Sequence, residues 1–176
     1  MRNLYEKTLN SETIYKGKVF TITKDNVELS DGYKTIREVV HHSGGVVIVA
    51  EKNNNILMVK QFRYPTQEVL YELPAGKLDK ENEDILSAAK RELEEETGHI
   101  ANSWESLGFI WTSPGFCNEK LYFFKAKDLS FKGQHLDEGE ILDYIEIKKE
   151  DVFSMIKNGQ INDSKTISAL MRAYFL

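Results

Sequence analysis

The sequence has a single cysteine, Cys117, among 176 residues, so no disulfide can form within the chain. Secreted proteins of this size often rely on disulfides, whereas a lone cysteine is more typical of a reducing compartment. The cysteine count therefore favours a cytoplasmic location.

Long apolar runs are also missing. No stretch approaches the roughly 18 apolar residues that a membrane-spanning helix needs. The first residues, "MRNLYEKTLNSETIY", lack the apolar core of a signal peptide. We expect neither a membrane partner nor export.

The chain has no excess of basic residues, because 23 Lys and Arg stand against 28 Asp and Glu, for a net charge of -5. This balance argues against a protein that grips nucleic acid through a basic surface. Small anionic ligands are not excluded, since local charge can differ from net charge. A hydrophobic content of 41% is enough for the core of an ordinary globular domain.

Alternating apolar and polar residues predict strands over much of the chain. Residues 12–40 read as a small antiparallel β unit with a hairpin turn at "SDG" (30–32), followed by core strands at 44–50 and 55–64. The glycines of "SGG" (43–45) mark a boundary. We therefore predict an N-terminal β unit over residues 1–43 and a second domain over residues 44–176.

The second half of the chain predicts paired strands at 105–113 and 120–129, a further strand "ILDYIEI" (141–147), and two terminal helices separated at "NGQIND" (158–163). The predicted apolar faces of these helices comprise Val152, Met155 and Ile156 in the first and Ile167, Leu170, Met171 and Tyr174 in the second. Strands dominate and helices flank them, so the predicted fold class is α+β.

A helix is predicted over residues 83–97, with Asn82 as its N-cap, Glu83 and Asp84 in its first turn and Gly98 after its end. Helical spacing places Leu86, Ala89 and Leu93 on an apolar stripe. Glu92, Glu95 and Glu96 cluster beside that stripe, whereas Glu94 and Lys90 point to solvent.

The clustered acids stand in the last turn, where the helix dipole and their mutual repulsion both disfavour them. Arg91 can hold one carboxylate, but one cation cannot neutralise three. A run of glutamates is ordinarily a solvated helix face. Here "LPAG" (73–76) lies just upstream, and its proline and glycine form a tight loop able to lend a carbonyl to a cation. Oxygen ligands without nearby histidine or cysteine favour Mg²⁺ or Mn²⁺ over zinc.

The segment "AGKLDKENEDILSAAKRELEEETG" (75–98) resembles the signature of the Nudix hydrolases, Gly-x5-Glu-x7-Arg-Glu-U-x-Glu-Glu-x-Gly-U, where U is a bulky aliphatic residue. The fixed positions are taken by Gly76, Glu83, Arg91, Glu92, Leu93, Glu95, Glu96 and Gly98. The spacing from Gly76 to Glu83 is one residue longer than the signature, which leaves the role of Glu83 open. His99 replaces an aliphatic residue, and we expect it to turn outward while Ile100 takes the core contact.

Beyond the signature, the chain resembles the ADP-ribose pyrophosphatase branch of that family over nearly its whole length. The resemblance rests on "KQFRYPTQEVLYELPAG" (60–76), on "TSPGFCNEK" (112–120) and on the acidic loop before "ILDYIEI". It includes Pro114, which stands 16 residues after Gly98. The implied activity is Mg²⁺-dependent hydrolysis of ADP-ribose to AMP and ribose 5-phosphate.

Two alternatives accompany this interpretation. The first is a hydrolase of another nucleoside diphosphate sugar, which would differ only in its pocket lining. The second is a sensor that binds an ADP-ribose-type ligand without cutting it. Such sensors commonly lose signature acids, whereas Arg91, Glu92, Glu95 and Glu96 are all present here.

The resemblance also implies residue roles. Glu92 and Glu96 would bind Mg²⁺, Glu95 would bind or bridge, the Ala75 carbonyl would complete a site for two or more ions, and Arg91 would orient the acids. The general base of this branch lies in a flexible loop just before a late strand, where this chain has Asp137, Glu138 and Glu140. Glu140 directly precedes the strand and is preferred, with Glu138 second.

For the substrate, the resemblance suggests Arg63 as a partner of a phosphate or the terminal ribose. Glu72 would hold Arg63 or a ribose hydroxyl, and Gly115 would line the phosphate or ribose pocket. Phe20 or Tyr15 would stack on adenine, although an aromatic residue in a β unit is more often simply core. Arg37 would reach the site from a partner subunit. Residues 1–43 are too short to bury a core of their own, which fits a homodimer that exchanges its N-terminal β units.

Overall fold

The computed structural model describes residues 3–176, and the chain divides into two compact units. The first unit comprises the described residues up to Gly44 together with Trp111–Lys120, and the second comprises Gly45–Ile110 and Leu121–Leu176. Among the described residues, no helix is long and apolar enough to cross a bilayer.

The first unit is a three-stranded antiparallel sheet of β1 (Lys7–Lys16), β2 (Phe20–Glu28) and β3 (Lys34–His42). The predicted hairpin turn is confirmed, with Gly32 in the left-handed region at φ 85°, but β1 begins before residue 12. Every residue of β1 is exposed. Within these strands, burial is confined to Thr23 and Val27 of β2.

The second sheet is mixed and contains β4 (Gly45–Lys52), β5 (Asn55–Arg63), β6 (Glu68–Glu72), β7 (Ala75–Lys77), β8 (His99–Trp111), β9 (Lys120–Phe131) and β10 (Leu142–Lys148). The strand order is β10-β5-β4-β9-β8, with β6 paired to β5 and β7 paired to β4. β4 lies in the centre of this sheet, between β5 and β9, and runs parallel to β9. Its residues 45–50 are buried.

Three helices cover the two faces of this sheet: α1 (Ile85–Thr97), α2 (Lys149–Lys157) and α3 (Ser164–Phe175). Val46, Ile48 and Ala50 of β4 pack with Ala88, Ala89 and Leu93 of α1. Val47 and Val49 point to the other face and pack with Val152 of α2 and Leu170 of α3. The alternation along one buried strand thus builds both core layers, and the α+β prediction is confirmed.

Several element predictions need correction. Strand β8 begins at His99 rather than at 105, and β6 and β7 were not foreseen. β7 turns the predicted loop at "LPAG" into a short strand in which Ala75 pairs with Val47 and Gly76 with Val46. Met171 was expected in the apolar face of α3 but is 43% exposed.

Helix α1 begins two residues later than predicted. Its N-cap is Asp84, whose carboxylate accepts hydrogen bonds from the backbone N–H groups of Leu86 and Ser87, both at 3.1 Å. Asn82 instead lies in a turn with a positive φ of 62°. The predicted end is confirmed, because Gly98 adopts φ 71° and its N–H donates to the Glu94 carbonyl at 2.8 Å.

Candidate active site

Arg91 is the centre of the acidic cluster. Its Nε and Nη2 donate to the two oxygens of Glu83 at 2.9 and 3.0 Å, while Nη1 donates to Glu92 and to Glu95 at 2.7 Å each. These bonds, those from Glu83 foremost, raise the pKa of Arg91 far above its ordinary value. The arginine therefore holds three carboxylates where the sequence predicted one, and the role left open for Glu83 is that of its bidentate partner.

Glu96 is the most buried acid of the cluster, with 2% of its surface exposed. Its Oε2 accepts a hydrogen bond from the Ala75 N–H at 3.0 Å, which joins the last turn of α1 to β7. Burial raises the pKa of Glu96 well above its ordinary value, the Ala75 N–H opposes that rise, and the charges of Glu140 and Glu92 add to it.

Glu92 lies directly against the backbone of Gly76. A Cβ atom at position 76 would stand 1.8 Å from Glu92 Cδ, so no other residue fits there while Glu92 keeps its place. Burial is also the main cause that raises the pKa of Glu92, against the hydrogen bond from Arg91. Gly76 is therefore needed because the Glu92 carboxylate lies so close to its backbone, and not because of an unusual φ.

The donor chemistry of this cluster fits a hard divalent cation, because the carboxylates of Glu92 and Glu96 contact the backbone of β7 and Glu95 stands in the same turn of α1. Within residues 3–176, however, no three Asp, Glu, His or Cys side chains are arranged so that they could hold a metal ion. Arg91 accounts for this arrangement, since its Nη1 takes an oxygen from both Glu92 and Glu95. Arg91 binds one oxygen of each of these two acids, and the ligand roles of Ala75, Glu92, Glu95 and Glu96 stay predictions.

A second charged group joins β5, β6 and α3. Arg63 donates from Nε and Nη2 to the two oxygens of the buried Glu72 at 2.7 and 2.6 Å. Lys165 also contacts Glu72 and lies 3.0 Å from Asp163, which caps α3. Burial alone would raise the pKa of Glu72, but the hydrogen bond with Arg63 and the charge of Lys165 outweigh it and lower that pKa.

The Arg63 group lies within electrostatic range of the acids of α1. The hydrogen bond with Glu72 is the main cause that raises the pKa of Arg63, and the charge of Glu96 adds to it. The predicted contact between Glu72 and Arg63 is therefore present. Lys165 was missed by the sequence analysis, because nothing in its spacing links it to a carboxylate 93 residues away.

Glu140 lies at the end of the segment between β9 and β10. Its N–H donates to the Asp137 carbonyl at 3.0 Å, which forms a turn, and it is half-buried whereas Glu138 is exposed. The charge of Glu140 raises the pKa of both Glu92 and Glu96. Glu138 is not among the main causes for either acid. The structure thus brings Glu140 into range of the cluster, and its role as a base stays a prediction.

The other predicted site residues belong to the first unit. Arg37 is half-buried and pairs with both oxygens of Glu6 at 2.7 and 3.0 Å. Phe20 is 38% exposed, and its ring centroid lies 5.7 Å from that of Tyr15. Gly115 is exposed, and a Cβ atom built there would meet nothing within 4 Å. These three residues therefore belong to the first unit, whereas the acidic cluster belongs to the second.

The prediction that His99 turns outward is wrong, because His99 is 1% exposed. Its ring packs against Phe131 and Tyr144, with centroids 5.2 and 5.4 Å away, and these contacts replace that of an aliphatic residue. Nδ1 lies 2.9 Å from the Thr97 carbonyl and donates to it, while Nε2 lies 3.3 Å from Lys52 Nζ. Burial lowers the pKa of His99, which favours the neutral ring.

Two sequence families together match most of the chain. The NUDIX domain matches residues 40–170, and the nucleoside diphosphate sugar hydrolase N-terminal domain matches residues 6–40. Both matches are independent of the site geometry described above.

Individual proteins show the same relationship. The ADP-ribose pyrophosphatase of Bacillus subtilis (strain 168) is 39% identical over 97% of this chain and 93% of its own. The methanol dehydrogenase activator of Bacillus methanolicus is 44% identical over 94% of this chain and 90% of its own. A crystal structure of an ADP compounds hydrolase matches the fold with a TM-score of 0.87 over 98% of this chain and 95% of its own, at 23% identity. The chain therefore belongs to the Nudix family of pyrophosphohydrolases.

Proposed function

We propose that this protein hydrolyses the pyrophosphate bond of ADP-ribose to AMP and ribose 5-phosphate with the aid of Mg²⁺. The observation that carries the proposal is the convergence of Glu92, Glu95 and Glu96 on the last turn of α1, where Arg91 binds the first two and the Ala75 N–H binds the third. The substrate follows from the similarity to an ADP-ribose pyrophosphatase over nearly the whole chain.

Nudix hydrolases act with a divalent cation. In this chain the Ala75 carbonyl and the carboxylates of Glu92, Glu95 and Glu96 would hold Mg²⁺, or Mn²⁺ in its place, with two or more ions in the site. When bound, such ions screen the phosphate charges and lower the pKa of an attacking water. Arg91 binds Glu92 and Glu95 and would orient their carboxylates as ligands.

The remaining steps belong to side chains of the second unit. Glu140 takes the proton of the attacking water, because it is the carboxylate of the β9–β10 segment whose charge reaches the acids of α1. Arg63 binds a phosphate or the terminal ribose, held in place by Glu72, which Lys165 keeps ionised. The water oxygen bonds to phosphorus as the bond from phosphorus to the bridging oxygen breaks, and two phosphate monoesters result.

A turnover screen tests the substrate. We expect ADP-ribose to give the highest kcat/KM among ADP-ribose, ADP-mannose, GDP-mannose, NADH and diadenosine polyphosphates, each measured with Mg²⁺ and with Mn²⁺. AMP and ribose 5-phosphate should appear in equal amounts. A low rank for ADP-ribose beside efficient hydrolysis of another substrate would point to the alternative nucleoside diphosphate sugar. Binding without any turnover would point to a sensor.

We further propose that the protein is a homodimer whose N-terminal β units, residues 1–43, are exchanged, so that Arg37 and Phe20 serve the site of the partner subunit. The exposure of every β1 residue and the small buried set of this sheet support the proposal, because three strands are stable only when one apolar face of the sheet is covered. Light scattering after gel filtration measures the molar mass, which should be twice that of one chain.

Mixed dimers test which subunit Arg37 serves. If Arg37 acts on the partner's site, Arg37→Ala and Glu96→Gln chains unfolded and refolded together regain about one quarter of the wild-type turnover, since half of the dimers are mixed and each has one intact site. Each variant alone stays inactive or weak. If Arg37 serves its own chain, mixing restores nothing.

A further inference from the structure

The C-terminal end of α1 is capped by a segment that lies far away in sequence. The last four carbonyls of a helix have no partner within the helix. Here the Glu94 carbonyl accepts from Gly98 N–H, and the Thr97 carbonyl from His99 Nδ1. The two between them, Glu95 and Glu96, are bound by the segment that follows β9.

That segment comprises residues 132–135, which we call the capping segment. The N–H of His135 donates to the Glu95 carbonyl at 3.1 Å, and the side-chain amide of Gln134 donates to the Glu96 carbonyl at 2.6 Å. The N–H groups of residues 132 and 133 donate to the Gly98 carbonyl at 2.7 and 3.2 Å. The segment therefore binds the backbone of the turn that carries two of the signature acids.

The approach is close enough to depend on Gly98. A Cβ atom at position 98 would lie 2.7 Å from the Gln134 backbone N, from the Gly133 carbonyl carbon and from a Phe131 ring atom. Gly98 also has a φ of 71°, which side chains rarely adopt. The same glycine thus ends α1 and admits the capping segment.

The capping segment is one end of the loop that carries Glu140. At its other end, Leu142 is buried and pairs with Gln61 at the start of β10. Six residues, 136–141, lie between His135 and Leu142, and the turn from Asp137 to Glu140 shortens them further. Glu140 is therefore confined by anchors on both sides, one of which is the backbone of Glu95 and Glu96.

We propose that Gln134 is a positioning residue for hydrolysis: its amide fixes the loop that carries Glu140 to the last turn of α1. Glu140 and the acids of α1 thereby keep a fixed position relative to each other. This inference rests on the proposed function, in which Glu140 accepts the proton of the attacking water. Gln134 acts through the position of the loop and touches neither substrate nor metal.

Gln134→Ala and the isosteric Gln134→Glu remove the donor. We expect each to lower kcat about fivefold, which corresponds to roughly 1 kcal/mol for one lost hydrogen bond, with KM unchanged. Lys132→Ala is the matched control, because Lys132 lies in the same segment, is exposed and has no side-chain partner among residues 3–176. Far-ultraviolet circular dichroism spectra should coincide for the three variants, which shows that each keeps the fold.

Two measurements separate this role from others. The Kd for Mn²⁺, measured by electron paramagnetic resonance, should not change in Gln134→Ala. Backbone amide exchange of residues 136–141, followed by mass spectrometry without substrate, should become faster in both Gln134 variants and stay unchanged in Lys132→Ala.

An unchanged kcat in both Gln134 variants would overturn the inference, as would a loss of Mn²⁺ affinity equal to the loss of kcat, since Gln134 would then act through Glu96 itself. Unchanged amide exchange would overturn it whatever the turnover. Failure of the proposed function has a different signature, because the wild-type protein would then hydrolyse none of the substrates.

Discussion

Glu83 lies outside the helix that carries Arg91, and its two carboxylate oxygens accept hydrogen bonds from Nε and Nη2 along one edge of the Arg91 guanidinium, at 2.9 and 3.0 Å. The pair is bidentate and largely shielded, with 16% and 17% of the two side chains exposed. It holds the arginine so that Nη1 faces Glu92 and Glu95. The extra residue between Gly76 and Glu83 has not removed Glu83 from this contact.

We predict that Glu83→Gln lowers kcat about tenfold or more, because Arg91 loses its charged bidentate partner and no longer holds Glu92 and Glu95 in one arrangement. Steady-state kinetics over a Mg²⁺ series measures the effect. Glu81→Gln is the control, since Glu81 is exposed and its side chain has no partner in the described part of the chain. Equal kinetics for the two variants would contradict a role for the Glu83 pair.

Glu96→Gln should abolish Mg²⁺-dependent hydrolysis and make the metal-free protein more stable at neutral pH. The pKa of Glu96 is raised in the folded state, so its ionisation costs free energy above the ordinary pKa of about 4.3, and that cost disappears as pH falls below the folded pKa. The melting temperature of the metal-free variant should exceed that of the wild type at pH 8 and approach it at low pH. Full activity would refute the metal assignment.

Glu140→Gln should lower kcat by about 10²-fold or more with little change in KM, as expected for loss of a general base. Glu138→Gln is the comparison, because Glu138 stands in the same turn, is exposed and is not among the main causes of the raised pKa of Glu92 or Glu96. A large loss confined to Glu138→Gln would move the base two residues back.

Gly76→Ala should disable metal binding without changing the local φ, because its methyl group would occupy the place of the Glu92 carboxylate. We expect the Kd for Mn²⁺ to rise at least about tenfold while far-ultraviolet circular dichroism stays native. Retention of wild-type affinity would mean that Glu92 is not a ligand.

Lys165→Gln should lower the stability of the protein at neutral pH and reduce the part of that stability that is lost in acid. The pKa of Glu72 is lowered in the folded state, so its ionised form contributes stability above its unfolded pKa of about 4.3, and this contribution is lost as pH falls through the folded pKa. Without Lys165 the folded pKa rises towards the unfolded value, so both the contribution at neutral pH and its loss in acid become smaller. Urea unfolding between pH 3 and pH 7 measures the shift, with Lys18→Gln as an exposed control.

The local part of the site could be read from the sequence. Glu95 and Glu96 stand three and four residues after Glu92 on the helix that carries Arg91, and helical geometry alone brings these three acids together. Gly98 could be assigned for the same reason, because a glycine after an amphipathic stretch ends helices. The major strands followed from alternation, which the buried and exposed faces of the sheet impose.

The remaining features depend on contacts between distant residues. Lys165 meets Glu72 across 93 residues, and Gln134 meets Glu96 across 38. The N-cap was misassigned because Asn82 and Asp84 are both good capping residues, and only the pairing of Glu83 with Arg91 decides between them. His99 was misplaced because its partners Phe131 and Tyr144 come from two later strands. Spacing along the chain carries no information on such pairs.

Arg91 binds the carboxylates of Glu83, Glu92 and Glu95, so the acidic cluster contains a fixed positive charge of its own. A divalent cation that bound here would meet two acids, Glu92 and Glu95, that already share this charge. The negative charge left for the cation to neutralise is therefore smaller than the run of glutamates in the sequence suggests.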